Sequence, residues 1–487
     1  MVSTGSMIFN TSCFSGAVYS ILCLIMDDGF LHILGWLFLT ILNLIWIVFL
    51  VASWPAREKR AARICLFILV LQNTTIISLI GSQSGSANII LIAGFFIMFS
   101  GLTAITLPWK SPAQLEIPGP QNRVDERDAL FHRFLRLTPG SREFRQYYTE
   151  HPENLDMDDQ IRRLPSFAGP GSVTFDPLAS LYQKAVFDIL SRFIGHVPDN
   201  NTATSDDSGA DIPTDTMTAR LKHFAAYLGA DLTGSTRLNP SYVYSHIGRG
   251  PGRWGAPIEL KHSHALVIAV EMRHDMVRHA PGIPELTETA RSYCNTAGIA
   301  MILARYIQLI GFEARAHIDA DYRVMCVPIA VDAGLGELGR IGLLITKRYG
   351  PRVRLAVVTT NLPLSEDSRD IFGVQDFCSL CRKCADNCPS GAIDTGEKKP
   401  RNGVIKWQSR QELCYRYWRL HGTDCGICLK VCPYSHPHSV FHSAVRRIIQ
   451  RNPLARRLAV RGDDLFYGKK PAHPIHNPEW MADHGIT

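Results

Sequence analysis

The most constraining feature of the sequence is a set of eight cysteines near its C-terminal end. A first group follows the pattern C-x2-C-x2-C-x3-C-P, and a second reads C-x2-C-x3-C-P with one more cysteine eleven residues upstream. The groups are Cys378, Cys381, Cys384 and Cys388, before Pro389, and Cys414, Cys425, Cys428 and Cys432, before Pro433. Three thiolates on a tight loop can bind three irons of a cubane cluster while a remote fourth closes it. The pattern therefore predicts two 4Fe–4S clusters and a chain that moves electrons one at a time.

The predicted ligand sets follow from two-cluster ferredoxins, in which the fourth cysteine of each run binds the other cluster. The first set is Cys378, Cys381, Cys384 and Cys432, and the second is Cys388, Cys414, Cys425 and Cys428. Paired C-x-x-C runs also occur in zinc sites, but two C-x3-C-P endings and eight candidate ligands favour clusters. The remaining cysteines lie in apolar settings and are predicted to be packing residues, namely Cys13, Cys23, Cys65, Cys294 and Cys326.

The N-terminal part of the chain consists of long apolar runs. A chain of 487 residues is expected to form more than one structural unit. No Asp, Glu, Lys or Arg occurs between Phe30 and Ser53 or between Ile64 and Trp109, and such lengths allow helices to cross a bilayer core of roughly 30 Å. An uncharged polar stretch at 81–88 divides the second run. The sequence therefore predicts membrane spans at about 30–53, 64–81 and 88–107, with a weaker fourth at about 8–26.

The loop after the first of these spans is basic. PAREKRAAR carries four basic residues against one acid, so the positive-inside rule places it in the cytoplasm. The third span then returns to the cytoplasm at Lys110, ahead of the globular part. No Lys or Arg precedes Arg57, so the basic region of a cleaved signal peptide is missing. We expect a multi-pass protein of the inner membrane, in contact with lipid, whose soluble part faces the cytoplasm.

The soluble part is predicted to be α/β. Apolar runs at 264–272, 324–331, 341–346 and 355–360 are typical of strands. Between the first two, an apolar stripe with Pro284 at its start and Gly311 at its end predicts a helix. The stripe is made of Leu286, Ala290, Tyr293, Ala297, Ala300, Ala304 and Ile307.

Three segments resemble the cobalamin-dependent reductive dehalogenase family. They are YSHIGRGPGRWG at 244–255, ETARSYCNTAGIAMILARYIQLIGFEA, and VPIAVDAGLGELGRIGLLITKRYGPRVRLAVVTTNLPL at 327–364, the last followed closely by the cysteines. The resemblance implies a nitroreductase-like α/β domain that holds a corrinoid, beside a ferredoxin-type domain with two clusters. It also implies that the clusters reduce cobalt, which breaks a carbon–halogen bond, and that a tyrosine supplies the proton with help from Lys or Arg.

The resemblance gives each part of the chain an expected role. Tyr293 is the predicted proton donor, and Arg352 is its predicted cationic partner, with Arg354 as the alternative. The predicted domains are a transmembrane anchor at 1–110, a linker and the start of the soluble region at 111–219, the corrinoid-binding domain at 220–370, the ferredoxin-type domain at 371–440 and a tail at 441–487.

Three glycines, Gly334, Gly336 and Gly339, formally satisfy G-x-G-x-x-G. A strand-like run rather than a long helix follows them, and no acid stands about twenty residues further on, so a nicotinamide is not predicted. We interpret the glycines as letting the backbone approach a large planar ligand, with a plain tight turn as the alternative.

The resemblance leaves the partners open. Three or more spans at the N-terminus and no fused reductase set this chain apart from other members, so an external electron donor is expected: a ferredoxin, a reductase or a quinol route through the spans. The expected substrate is an organohalide, most simply an aromatic one.

One alternative is a relative of epoxyqueuosine reductase, disfavoured because a membrane anchor would hinder access to transfer RNA; no nucleic acid partner is predicted. The other alternative is an iron–sulfur electron carrier without catalysis of its own.

Overall fold

The structure, a computed structural model, describes residues 28–54, 58–82, 85–107, 122–197, 212–470 and 478–481. The chain divides into two compact units. The anchor unit comprises Met1–Trp109, Ser439–Ile448 and Leu465–Tyr467, and the soluble unit comprises Lys110–His438, Ile449–Asp464 and Gly468–Thr487.

The anchor unit contains three helices, α1 (Asp28–Ser53), α2 (Lys59–Gly81) and α3 (Gly85–Thr106). Among the described residues, these three are long and apolar enough to cross a membrane, and they cover the three main predicted spans. The weaker segment at 8–26 lies outside the described residues. Asn43 of α1 exchanges side-chain hydrogen bonds with Asn73 of α2 at 3.0 and 2.8 Å, which joins the two helices inside the apolar layer.

Helices open the soluble unit before its sheet begins. They are α4 (Leu130–Leu135), α5 (Arg142–Glu150), α6 (Leu155–Arg162), α7 (Ser180–Ile194) and α8 (Thr214–Tyr227). The capping of α5 illustrates the local chemistry: the Ser141 hydroxyl accepts a hydrogen bond of 3.0 Å from the Phe144 N–H, which satisfies one of the free donors at the helix start.

The soluble unit is organised around a four-stranded antiparallel sheet. Its sequence elements are β1 (Leu232–Arg237), β2 (His264–Glu271), α9 (His274–Val277), α10 (Ile283–Leu309), β3 (Ala314–His317), α11 (Cys326–Asp332), β4 (Glu337–Leu338), β5 (Leu344–Ile345) and β6 (Val353–Thr360). The strand order is β1-β2-β6-β3, while β4 and β5 form a separate pair. Leu266 and Ile268 of β2 join one core with α10, and Val267 joins a second core on the opposite face. Because both faces are covered, β2 is apolar at nearly every position.

The structure confirms the helix predicted from the apolar stripe and the strands at 264–272 and 355–360. The strand predicted at 324–331 is wrong, because this segment forms α11. Pro328 explains the difference, since proline is tolerated in the first turn of a helix but cannot donate to a sheet. The run at 341–346 supplies only the short β5. The edge strands β1 and β3 were not predicted, because neither carries a long apolar run.

The C-terminal part of the chain is built from short helices around the cysteines and two longer helices after them. The elements are α12 (Val374–Cys381), α13 (Lys383–Asp386), β7 (Lys399–Arg401), β8 (Val404–Lys406), α14 (Gln411–His421), α15 (Ile427–Lys430), α16 (Val440–Arg451) and α17 (Pro453–Tyr467).

Candidate redox site

The eight cysteines form two spatial groups. Burial raises the pKa of Cys432, and so does the electrostatic effect of three nearby thiols, Cys378, Cys381 and Cys384. Cys428 instead has Cys414 and Cys388 as its neighbours. The fold thus brings the last cysteine of each run to the other run. These are the two groups that the spacing predicted, called here the first and the second cysteine group.

The spread of these thiols suits clusters better than a single ion. Within the described residues, no three Cys, His, Asp or Glu side chains are close enough to hold one metal ion. Thiolates sharing one zinc ion would lie roughly 3.8 Å apart, given a Zn–S bond of about 2.3 Å. A cubane binds each thiolate to its own iron and therefore keeps the sulfurs farther apart.

The burial of the thiols requires a positive partner. Burial raises the pKa of Cys378 to about 11 and the pKa values of Cys381 and Cys414 to about 12, so without a cation these thiols would hold their protons. Metal binding needs the thiolate, and iron would supply the missing positive charge. At Cys388, burial also acts to raise the pKa, but hydrogen bonds from Ser390 and from nearby backbone N–H groups outweigh it and lower the pKa.

Cations surround the first cysteine group. The buried Arg340 donates from Nε to the Cys378 carbonyl at 3.1 Å and lies 4.5 Å from the centre of the Trp407 ring. Lys398 lies 4.6 Å from the same ring and acts on Cys378 electrostatically. Lys383, between two of the cysteines, forms a buried ion pair with Asp463.

Carboxyl groups face the second cysteine group. A Cβ added to Gly426 would lie 2.3 Å from Cδ of the buried Glu285, so this carboxyl packs against the loop between Cys425 and Cys428. Burial and the neighbouring Asp424 raise the pKa of Glu285 well above its usual value, which favours its protonated form. Neither acid was predicted from the sequence, because neither stands in a recognisable motif.

Asp424 links this loop to the α/β sheet. Its Oδ2 accepts a hydrogen bond of 2.8 Å from the Thr289 hydroxyl and one of 3.3 Å from Arg354 Nη2. Arg354 also donates to Thr289 at 2.8 Å. Glu285, Thr289 and Tyr293 are spaced four residues apart on α10, so they form one row along the helix.

Tyr293, the predicted proton donor, lies at the end of this row with a cation over its ring. The Cζ atom of Arg354 is 4.9 Å from the ring centre. Burial raises the pKa of Tyr293 to about 12, although Arg354 opposes the shift. The phenol is therefore protonated near neutral pH.

The structure corrects the choice of cationic partner. Arg352 is completely buried, forms an ion pair with Glu271 at 2.7 Å and donates from Nε to the Ser435 carbonyl at 2.8 Å. Its guanidinium is therefore held by an ion pair and a hydrogen bond that stabilise the fold. Arg354, given above as the alternative, is the arginine beside Tyr293.

Further polar and aromatic side chains surround Tyr293. Arg249 lies 3.6 Å from the Asp319 carboxylate and 5.7 Å from the Tyr322 ring centre, and both Arg249 and Asp319 act electrostatically on Tyr293. Burial raises the pKa values of Tyr322 and Cys326, yet both side chains keep part of their surface accessible. Cys326 packs against the second core, which confirms the prediction that it is a packing residue.

Buried polar atoms near Tyr293 could meet a bound group. Nε of Arg354, Oδ1 of Asp424 and Oε2 of Glu285 have no hydrogen-bond partner within the described part of the chain. Buried polar groups in native proteins nearly always have partners, so these atoms fit a site that holds a polar cofactor or substrate.

The three glycines of the G-x-G-x-x-G pattern lie close to other parts of this chain. A Cβ at Gly334 would lie 2.5 Å from the Ser368 carbonyl oxygen, and one at Gly336 would lie 2.2 Å from that of Ile345. At Gly339 it would lie 2.7 Å from the Ile345 side chain. These close approaches to the chain's own atoms favour the alternative of a tight turn, and contact of the glycines with a ligand stays a prediction.

Comparison with known proteins defines the class of the cysteine module and shows which proteins the chain is similar to. The model of the 4Fe-4S dicluster domain matches residues 377–436. The tetrachloroethene reductive dehalogenase of Sulfurospirillum multivorans is 32% identical over 289 residues, which are 52% of this chain and 57% of that protein. The chain is similar to reductive dehalogenases over the matched residues, and it spans about half the length of the curated relatives that it matches.

Solved structures agree in fold. The catabolic reductive dehalogenase NpRdhA in complex with 3-bromo-4-hydroxybenzoic acid superposes with a TM-score of 0.59 at 27% identity, over 74% of this chain and 49% of that one. A reductive dehalogenase structure described in connection with B12-dependent dehalogenation gives the same TM-score and identity, over 75% and 49%.

Proposed function

We propose that this chain is a membrane-anchored reductive dehalogenase that uses two 4Fe–4S clusters and cobalamin to remove halide from an organohalide. The observation that carries the proposal is the row from Glu285 through Thr289 to Tyr293. It runs from the loop of the second cysteine group to a protonated tyrosine beside a cation. One structural element thus serves both electron delivery and proton delivery.

The cysteine groups are the proposed ligands of the clusters, the first group for one and the second group for the other. When bound, the clusters provide one-electron carriers and the corrinoid provides a cobalt centre able to attack a carbon–halogen bond. Arg249 and Tyr322, which lie near Tyr293, would with it contact the corrinoid or the substrate and keep bulk water away.

Proton delivery is the proposed task of Tyr293. Replacing halogen by hydrogen consumes two electrons and one proton and releases halide. With a pKa of about 12, the phenol holds its proton until the carbon becomes basic enough to take it. Arg354 then stabilises the phenolate that remains, and Thr289 with Asp424 holds Arg354 in place.

An aromatic organohalide is the proposed substrate class. Arg249 and Arg354 flank Tyr293 with cations that suit the π face or a phenolate group of such a compound, and NpRdhA was solved with a brominated hydroxybenzoic acid. We further propose that the soluble unit faces the cytoplasm, supported by the basic residues that begin α2. The proposed electron donor is a separate ferredoxin, a reductase or a quinol route through the spans.

The test uses the full chain, reconstituted with iron, sulfide and hydroxocobalamin. We expect about eight irons and one cobalt per chain, and halide release from brominated phenols with a reduced viologen as donor. Tyr293→Phe should retain both cofactors and lose about 10²- to 10⁴-fold in turnover, the usual contribution of a general acid. Tyr306→Phe, on the same helix but with its ring packed edge-on against Phe224, is the matched control and should stay active.

Each alternative has its own outcome. Full activity of Tyr293→Phe would remove the tyrosine from the mechanism. A chain with eight irons that binds no corrinoid would be an electron carrier. A corrinoid-loaded chain that releases no halide but reduces epoxyqueuosine in transfer RNA would be a relative of epoxyqueuosine reductase.

A further inference from the structure

The positive charge of the protein is concentrated near its C-terminus. Residues 439–470 contain eight Lys or Arg against two Asp, a net charge of +6, while the whole chain carries +7. This segment comprises α16, α17 and the residues between and after them. The redox site described above does not account for this charge.

One face of α17 combines exposed leucines with exposed arginines. Leu454, Leu458 and Leu465 are 38%, 48% and 53% exposed, and Arg457 and Arg461 are exposed beside them. Spacings of three, four, seven and eleven residues from Leu454 place all five on one side of the helix. Within the described residues, neither arginine forms an ion pair. An apolar stripe edged by arginine is typical of helices that lie in a membrane interface.

The opposite face of α17 is fixed, so the helix cannot turn its leucines inward. Arg456 pairs with Asp376 at 2.5 Å, and Asp463 accepts from His436 at 2.6 Å while also pairing with Lys383. Both Arg456 and Asp463 are buried. The leucine face therefore stays exposed for as long as these pairs persist.

The last turn of α17 lies at the foot of the membrane-crossing helices. Arg60, at the start of α2, donates from Nε to the Leu465 carbonyl at 3.1 Å. The Phe466 ring lies 4.9 Å from Phe49 and 5.8 Å from Trp46, both near the end of α1. The last residues of α17, Leu465–Tyr467, thus belong to the anchor unit.

We propose that α17 is an interfacial helix that binds the surface of an anionic phospholipid bilayer. Leu454, Leu458 and Leu465 insert at the acyl boundary, and Arg457 and Arg461 bind lipid phosphates. A bilayer is the occupant because the helix continues from the foot of the spans, where lipid is already present, and because its charge is opposite to that of anionic headgroups. An acidic protein partner is the competing occupant.

The experiment places a photoreactive benzophenone amino acid at Leu458 in the full chain, embedded in nanodiscs of phosphatidylcholine and phosphatidylglycerol. The matched control carries it at Tyr227, which is 85% exposed and is the last residue of α8. After irradiation, phospholipid adducts are measured by mass spectrometry. We expect on the order of tenfold more lipid adduct at position 458 than at 227, with phosphatidylglycerol enriched over its share of the bilayer.

A second variant tests the arginines. Arg457→Gln with Arg461→Gln should abolish the enrichment of phosphatidylglycerol while the iron content stays unchanged. Equal lipid labelling at positions 458 and 227 would overturn the proposal. So would an adduct at 458 that is formed with an added acidic electron-donor protein in place of lipid, or an enrichment that survives the loss of both arginines.

Discussion

The two cysteine groups lie in different electrostatic surroundings. Three cations lie near the first group, Arg340, Lys383 and Lys398, together with the acids Glu337 and Asp463. Glu285 and Asp424 face the second group. Nearby cations favour the reduced state of a one-electron carrier and nearby carboxylates oppose it. The raised pKa of Glu285 favours its neutral form. Similar cysteine patterns can thus be given different redox properties by residues outside them.

The groups also differ in how the sheet supports them. Arg352 donates to the Ser435 carbonyl, just after Cys432 of the first group, whereas Arg354 contacts Asp424, just before Cys425 of the second. Two arginines at one end of β6 thus reach two different loops. The first contact fastens a turn, and the second also brings a cation to Tyr293.

The largest effect is expected from removing one thiolate of each group. Cys381→Ser and Cys414→Ser should each lower the iron content from about eight to about four per chain and abolish halide release. Iron and sulfide analysis with paramagnetic resonance of the remaining cluster checks this. Cys294→Ser, outside both groups, is the control. If Cys414→Ser retained all its iron, the second group would lack the ligand that distinguishes it from the first.

The next effect separates the two arginines. Arg354→Gln should retain both cofactors while turnover per intact chain falls by about 10²-fold, because the phenolate of Tyr293 loses its cation. Arg352→Gln should instead cost about 3–5 kcal/mol in the free energy of unfolding, since it leaves Glu271 without its buried partner. Turnover per intact chain should be nearly normal there. Steady-state kinetics and thermal unfolding distinguish the two, and an exchange of these phenotypes would contradict the assignment.

A smaller effect tests the electrostatic contrast itself. Lys398→Gln should lower the reduction potential of the first cluster, and Asp424→Asn should raise that of the second, each by an amount on the order of 50 mV for a single charge near a partly buried centre. Potentiometric titration followed by paramagnetic resonance measures both. Glu285→Gln is the matched control and should shift the potential little, because the raised pKa of Glu285 favours the neutral acid. Shifts of the same sign in the reduction potentials of the two variants would contradict the proposed electrostatic difference between the cysteine groups.

The sequence predicts only those parts of the site that depend on local spacing. The cysteine groups and the spans could be found because their chemistry requires fixed intervals or minimum lengths, and α10 because its apolar stripe has helical period. Arg352 and Arg354 could not be separated, since they stand two residues apart and only tertiary contacts decide their partners. Glu285 and Asp424 stand far apart in the sequence and become neighbours only in the folded chain. The glycine pattern could not decide between a ligand site and a turn, because tight packing of the chain on itself needs the same residue as close ligand approach.

The smallest expected effect concerns the pH dependence of proton donation by Tyr293, which should be flat. Tyr293 acts as an acid, so activity is present below its pKa and is lost as the pH rises through it. Because burial raises this pKa to about 12, kcat/KM should not fall on account of the tyrosine between about pH 7 and pH 10. Arg354→Gln should move any alkaline loss further upward, since the cation now lowers the pKa. An alkaline loss near pH 8 that shifts when Arg354 is replaced would show that the ring titrates lower and is better solvated than its burial implies.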